Sequence, residues 1–109
     1  MFARILEITP KVEKKEELIN AIRKEVLPIL KRQPGFLELL PFVPESVNER
    51  MLAISLWTER HDAEKYAKEV FPKVEEIVKP FVTMPISFKK YNVETRLCEH
   101  LVEVLTVAA

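Results

Sequence analysis

The sequence predicts an α+β fold of the ferredoxin-like type, with the element order β-α-β-β-α-β and a four-stranded antiparallel sheet. Short stretches rich in branched and aromatic residues alternate with two long stretches of helical period. Eight prolines and a single glycine mark the boundaries between these stretches. At 109 residues the chain is the size of one domain with its own core.

The residues before Phe36 predict the first strand and the first helix. Phe2 to Ile8 is a strand that stops before Pro10. From about Val12 to Arg32, apolar residues recur every three to four positions and predict a helix, which Pro28 is expected to kink in its last turn. Gly35 is expected to end this helix, because glycine takes a positive φ at little cost.

Two further strands, a broken helix and a fourth strand complete the pattern. Phe36 to Val43 and Met51 to Trp57 are strands joined by a polar turn, which predicts a hairpin. The helix from about Glu59 to Phe81 is expected to break near Pro72, which then starts a second helical piece. Ile86 to about Thr95 is the last strand of the sheet.

The predicted domain covers residues 1–95, and residues 96–109 form a C-terminal tail. The tail fits either a helix or a strand, and its valines and threonine favour a strand. Such a strand would pair with the sheet of a second copy and strengthen a dimer.

The third strand indicates that the sheet needs a partner. One of its faces carries Leu52, Ile54 and Leu56, and the other carries no charged residue either. Two helices cover only one face of a sheet, so the other would expose a large apolar patch, which on a soluble protein marks an interaction site. We therefore predict a homodimer formed through the sheet face.

Charge and composition argue against several classes of function. Lysine plus arginine equal aspartate plus glutamate at 17 each, so nucleic acid and anionic membranes are not expected partners. No apolar run is long enough to span a bilayer, and no signal peptide is evident, so we expect a cytoplasmic protein. Cys98, His61 and His100 do not form a ligand cluster, so no metal is expected.

Several short segments resemble the antibiotic biosynthesis monooxygenase (ABM) domain, a family of dimeric α+β barrels. They are the opening Met1-Phe2-Ala3-Arg4, Leu27-Pro28 late in the first helix, Pro34-Gly35-Phe36 at the second strand, Trp57, Tyr66 nine residues later, and Tyr91 in the last strand. The resemblance covers about residues 1–95. It implies a pocket between sheet and helices, and members that oxidise polycyclic aromatic substrates with dioxygen and no cofactor.

Other members of this family degrade haem, with an Asn on the first strand, a Trp on the second helix and a His about ten residues later. Here the strand from Phe2 to Ile8 has no Asn, Tyr66 takes the Trp position, and Glu75 or its neighbour takes the His position. These three departures argue against haem breakdown, and no cofactor is expected.

Four residues are candidates for a site on a flat, acidic substrate. Trp57 and Tyr66 either form an aromatic wall, with the Tyr66 hydroxyl as an anchor, or pack in the core. Arg4 either binds a substrate anion or forms an ion pair with Glu38 or Glu7. His61 is either a base, because its ordinary pKa is near neutral, or an exposed histidine opening the second helix.

Two functions remain open on these residues. The first is a cofactor-independent monooxygenase acting on a small aromatic or quinone-like metabolite. The second is a non-enzymatic homodimeric module that binds a small hydrophobic ligand or has a regulatory role, because no carboxylate or histidine is clearly placed beside the aromatic pair.

Overall fold

The computed structural model describes residues 1–46 and 49–100. These contain four strands and two interrupted helical regions, linked by short turns. In order they are β1 (Phe2–Ile8), α1 (Lys15–Ala21), a π-helical segment (Ile22–Val26), α2 (Leu27–Lys31), β2 (Phe36–Phe42), β3 (Met51–Trp57), α3 (Arg60–Glu69), α4 (Phe71–Val78) and β4 (Ser87–Asn92).

The strands form one antiparallel sheet in the order β2-β3-β1-β4. This is the sheet of the ferredoxin-like fold, so the predicted fold class is confirmed. The strands β1 and β3 have the predicted bounds, whereas β2 and β4 end earlier than predicted. None of the described helices is long and apolar enough to cross a membrane.

The first helical region changes its hydrogen-bond pattern just before Pro28. Pro28 lies in the first turn of α2, which is the last part of this region. The π segment directly before it widens the helix by one residue per turn, and the Leu27 N–H donates to the Ile22 carbonyl, five residues back. Because proline cannot donate a backbone hydrogen bond, a change of hydrogen-bond pattern beside it costs little.

Pro72 begins a second helical piece as predicted, whereas Gly35 lies in a turn beyond the end of α2 and does not cap it. The second helical region breaks at Val70, and Pro72 lies in the first turn of α4. Gly35 has a φ of +79°, and its carbonyl accepts from the Thr58 N–H at 2.9 Å. A Cβ at Gly35 would overlap the Asp62 carboxylate on α3, so this close approach also requires glycine.

The helices cover one face of the sheet, and the core lies between them. Alternate residues of β1 and β3 point into it and are paired across the two strands, with Phe2 opposite Trp57, Arg4 opposite Ser55 and Ile8 opposite Met51. The helices supply buried apolar side chains, among them Leu18, Val26, Leu30, Tyr66, Phe71, Val74 and Val78.

The opposite face of the sheet carries the apolar row predicted from β3. Leu40, Ile54 and Ile5 are neighbours across β2, β3 and β1. Phe42 and Tyr91, also on this face by strand alternation, are half-exposed. Ala3 and Leu56, on the same face, are buried in the single chain. The tail strand predicted for the last residues falls mostly outside the described part of the chain. Within the described part, Thr95–Leu97 is a 3₁₀ turn.

An arginine fastens one end of the sheet. The Arg50 guanidinium donates to the Glu7 carboxylate at 3.1 Å, the Glu7 carbonyl at 2.8 Å, the Thr9 hydroxyl at 2.9 Å and the Ser87 hydroxyl at 3.0 Å. Lys89 lies 3.8 Å from the other Glu7 carboxylate oxygen. Glu7 therefore forms its ion pairs with Arg50 and Lys89 and not with Arg4.

Candidate functional site

A cavity of about 40 Å³ lies between the sheet and the helices. Three of its lining residues carry polar side-chain groups: Arg4 on β1, Ser55 on β3 and Tyr66 on α3. The rest are apolar and come from both layers, including Leu6, Ile8, Leu39 and Ala53 from the sheet and Ile22, Val26, Leu30, Phe71, Val74 and Val78 from the helices. The lining is thus mainly apolar, with three residues that carry polar side-chain groups.

Arg4 is buried without a counter-charge. The residue is 2% exposed, and its Nε atom has no hydrogen-bond partner. Within residues 1–46 and 49–100 no carboxylate lies within ion-pair distance of it. The expected pairing with Glu38 or Glu7 is therefore wrong, because Arg4 points to the helix side of the sheet and Glu7 to the other side.

Aromatic rings surround the Arg4 guanidinium. Its central carbon lies 4.9 Å from the ring centre of Phe71, 5.3 Å from that of Phe88 and 5.5 Å from that of Tyr66. Cation–π contacts at such distances offset part of the cost of burial. Desolvation still lowers the pKa of Arg4 from its ordinary value, although an arginine remains protonated at neutral pH.

Tyr66 lines the same cavity and is 4% exposed. Its hydroxyl makes no hydrogen bond within the described residues. Desolvation raises the pKa of Tyr66 to about 12, against a smaller opposing effect of Arg4. The phenol therefore stays protonated at neutral pH, where it is a hydrogen-bond donor and a poor base.

Trp57 contacts two of the lining residues, Ser55 and Tyr66, and does not itself line the cavity. It is fully buried, and its indole Nε1 donates to the Ser55 hydroxyl at 2.9 Å. Its ring lies 5.1 Å from that of Tyr66, so the predicted aromatic pair does form. Because the Ser55 oxygen accepts from Trp57, the hydroxyl hydrogen of Ser55 is left to donate elsewhere.

The remaining residues named from the sequence lie apart from the cavity. His61 is exposed in the first turn of α3, and Glu75 is exposed on α4. Cys98 is a free thiol that lies 3.5 Å from the Glu94 carbonyl, and His100 is exposed. No group of metal-ligating residues occurs among the described residues.

Sequence reasoning missed three residues at this site: Ser55, Phe71 and Phe88. Alternation on β3 places Ser55 on the same face as Trp57, so a lone hydroxyl on a buried face was a usable signal. Phe71 and Phe88 approach Arg4 only through the packing of α4 and β4 against β1, and no local pattern marks them.

The polar residues that line the cavity all carry hydrogen-bond donors. Arg4, Tyr66 and Ser55 all present hydrogen-bond donors, and no carboxylate or histidine lies among the lining residues. Donors held in an apolar, water-poor space stabilise an oxyanion far more than they do in water. Fold and cavity together define a ferredoxin-like protein with a cavity between its sheet and its helices.

The comparisons with known proteins give the family. A family model described as antibiotic biosynthesis monooxygenase matches residues 1–77, which is well over half of the chain. The chain belongs to this family, as the resemblance implied. No curated protein sequence matches the chain.

Solved structures of low sequence identity share the fold. SnoaB, a cofactor-independent oxygenase from Streptomyces nogalater solved in a mutant form, has a TM-score of 0.70 at 15% identity, over 85% of this chain and 92% of SnoaB. The heme-degrader MhuD from Mycobacterium tuberculosis, with two hemes bound, has a TM-score of 0.71 at 18% identity, over 86% of this chain and 96% of MhuD. At these identities the similarity establishes the fold.

The raised pKa of Tyr66 predicts a loss of stability at alkaline pH. A tyrosine in the unfolded chain ionises near pH 10, whereas Tyr66 in the folded chain ionises at about pH 12. The stability that depends on a protonated Tyr66 is complete below about pH 10 and is lost as the pH rises toward about 12. A shift of about two units corresponds to a loss of about 2–3 kcal/mol.

Urea unfolding of the native chain and of Tyr66→Phe between pH 9 and pH 12 measures this loss. The free energy of unfolding of the native chain should fall more steeply than that of the variant, because lysine titration affects both equally. Parallel curves for the two proteins would show that Tyr66 is not desolvated in the folded state.

Proposed function

We propose that the cavity beneath the sheet binds the anion of a small acidic aromatic compound and that the protein is a cofactor-independent monooxygenase. Membership of the family supports the class of reaction. The observation that carries the proposal is Arg4, a buried cation with no counter-charge in the described residues. A ligand oxyanion would supply that charge.

The donors in the cavity fit the chemistry of such a reaction. An anthrone-type substrate loses a proton to give an electron-rich enolate, whose oxygen would accept from the Arg4 guanidinium and the Tyr66 hydroxyl. This carbanion-like species reacts with dioxygen. One oxygen atom replaces the two hydrogens of the methylene carbon as a carbonyl, and the other leaves as water, so the reaction needs no external reductant.

Arg4 would replace a dedicated base by favouring the ionised substrate. A cation in a medium of low dielectric constant lowers the pKa of a nearby acid, by 1–3 units for a close pair. An acidic phenol or enol whose pKa is already near the pH of the solution would then bind as its anion. His61 is exposed and outside the lining of the cavity, so we assign it no role as the base.

The cavity must widen for an aromatic ring to enter, because about 40 Å³ holds no more than a few water molecules. One of its walls favours such a movement. The π segment contributes Ile22 and Val26, and helical segments of this kind are frequent at functional sites.

The lining does not fit a haem. It offers no histidine, cysteine or methionine as an iron ligand, and the Tyr66 phenol remains protonated at neutral pH. We therefore propose no haem chemistry for this chain.

The absence of a base from the lining favours one second candidate. A homodimeric module that binds the same acidic ligands without oxidising them needs only the donors of Arg4, Ser55 and Tyr66. The two candidates share a ligand class and differ in turnover, so one assay separates them.

Oxygen uptake and quinone absorbance with an anthrone-type substrate test the oxygenase. We expect a rate above that of buffer, and a loss of about a hundred-fold in kcat/KM for Arg4→Met, the size seen when one oxyanion donor is removed. Arg23→Met is the matched control, because Arg23 is exposed on the π segment and does not line the cavity.

The outcomes of this assay are distinct. Ligand binding without oxygen uptake would favour the non-enzymatic module. Equal losses in Arg4→Met and Arg23→Met would contradict the role of Arg4. Neither binding nor turnover in the native chain would overturn both candidates.

We also propose that the open face of the sheet pairs with a second copy. Its central row, Leu40, Ile54 and Ile5, is apolar and only partly buried in the single chain. A standard interface buries about 800 Å² on each copy, which would remove this row from water. The free energy gained by burying that apolar area is far larger than that of the surface ion pairs.

Light scattering after gel filtration tests this pairing. The native chain is expected to have the mass of two copies at micromolar concentration. Ile54→Glu places a charge at the centre of the face and should give single, folded copies, because Ile54 points away from the helices. Phe88→Glu on the helix side is the control for adding a charge. A native chain of single mass would contradict the pairing.

A further inference from the structure

A second space touches Arg4 from outside the cavity. It is a surface cleft of about 290 Å³ between α3 and the edge strand β4. Phe2, Phe88 and Ala67 give it apolar walls, and Arg4 lies at its inner end. The cleft and the cavity both include Arg4, which is 2% exposed. One residue, Arg4, therefore lines two neighbouring spaces.

The register of the sheet explains this position. Ser55, Arg4 and Lys90 form one row across β3, β1 and β4 on the helix side. Ser55 lines the cavity, Lys90 lines the cleft, and Arg4 stands between them. Five N–H donors in a planar fork allow one guanidinium to bind groups on both sides.

The charges in the cleft favour an anion. Arg4, Lys68 and Lys90 line it, and none of the three forms an ion pair with a described residue. Its one acidic residue, Glu64, is bound by the Arg60 guanidinium at 2.7 Å. That hydrogen bond is the main cause of a lowered pKa for Glu64, so its charge is already compensated.

We propose that this cleft is a subsite for a carboxylate group on an aromatic ligand. Arg4, Lys68 and Lys90 bind the carboxylate, and Phe2 and Phe88 pack against the ring that bears it. The inference rests on the proposed function in taking this ligand to be that of the cavity, whose oxyanion lies on the other side of Arg4. The preferred substrate is then an enol or phenol that carries a second, permanently ionised acid.

The cleft suits a carboxylate that is attached to an aromatic ring. Three cationic residues and one carboxylate, that of Glu64, line the cleft. Its net charge is therefore about +2 before Arg60 is counted. A carboxylate takes up one negative charge and matches the planar Arg4 fork. Phe2 and Phe88 give the cleft apolar walls beside that fork, where the ring of an arylcarboxylate can pack.

Calorimetric titration with 2-naphthoate and with 2-naphthamide tests the subsite. The two probes have nearly the same shape and differ in charge, and neither can be oxygenated as an enolate. We expect naphthoate to bind at least ten-fold more tightly at low salt. The preference should shrink as salt rises from 50 to 500 mM, since exposed lysines are screened.

Matched lysine variants locate the binding. Lys68→Gln with Lys90→Gln should abolish the preference for naphthoate. Lys65→Gln with Lys89→Gln is the control on the same two elements, since Lys65 and Lys89 lie outside the cleft lining. Amide chemical shifts in ¹⁵N spectra should change at Lys68 and Phe88 on addition of naphthoate.

Each outcome decides the inference. Equal binding of the two probes, equal loss in both double variants, or shifts confined to the open sheet face would overturn it. Tighter binding of 2-naphthyl phosphate would overturn the assignment to a carboxylate. Because no turnover is measured, an inactive protein can still bind naphthoate, and an active oxygenase can still fail this test.

Discussion

Burial of the Arg4 guanidinium without a counter-charge is the constraint on which the site depends. Removing a cation from water costs roughly several kcal/mol, and a domain is stable by only about 5–15 kcal/mol. The rings of Tyr66, Phe71 and Phe88 offset part of this cost, but the Nε atom still lacks a partner. In the proposed function, the anion of a bound ligand would offset the rest of this cost.

The surrounding structure holds this cation in place. Phe36, Trp57, Tyr66 and Phe71 form a continuous series of ring contacts from the edge strand to α4, with centroids 5.1–6.2 Å apart. Trp57 fixes Ser55, and Tyr66 and Phe71 fix the position of the Arg4 head group. Glu7, the nearest acidic residue on β1, is held on the opposite face by Arg50 and Lys89. The sheet thus separates its acidic group from its buried cation.

Much of the fold could be predicted because local patterns determine it. Proline, glycine and apolar period mark the elements, and β1 and β3 have the predicted bounds. The site was only partly predictable. Trp57 and Tyr66 were found as a pair, but the surroundings of Arg4 depend on which face of β1 the helices cover. Both faces of the sheet are apolar in sequence, so alternation alone did not distinguish an arginine under the helices from one at an open edge.

The unfolding free energy of Arg4→Met, measured in the absence of ligand, tests the central claim most directly. Methionine fills similar space among the rings without a charge, so the variant should be as stable as the native chain or more stable, by about 1–3 kcal/mol. Arg50→Met is the comparison, because it removes four hydrogen bonds and should destabilise the chain. If Arg4→Met loses as much stability as Arg50→Met, the buried cation has a partner in the free protein, and the anion site does not exist.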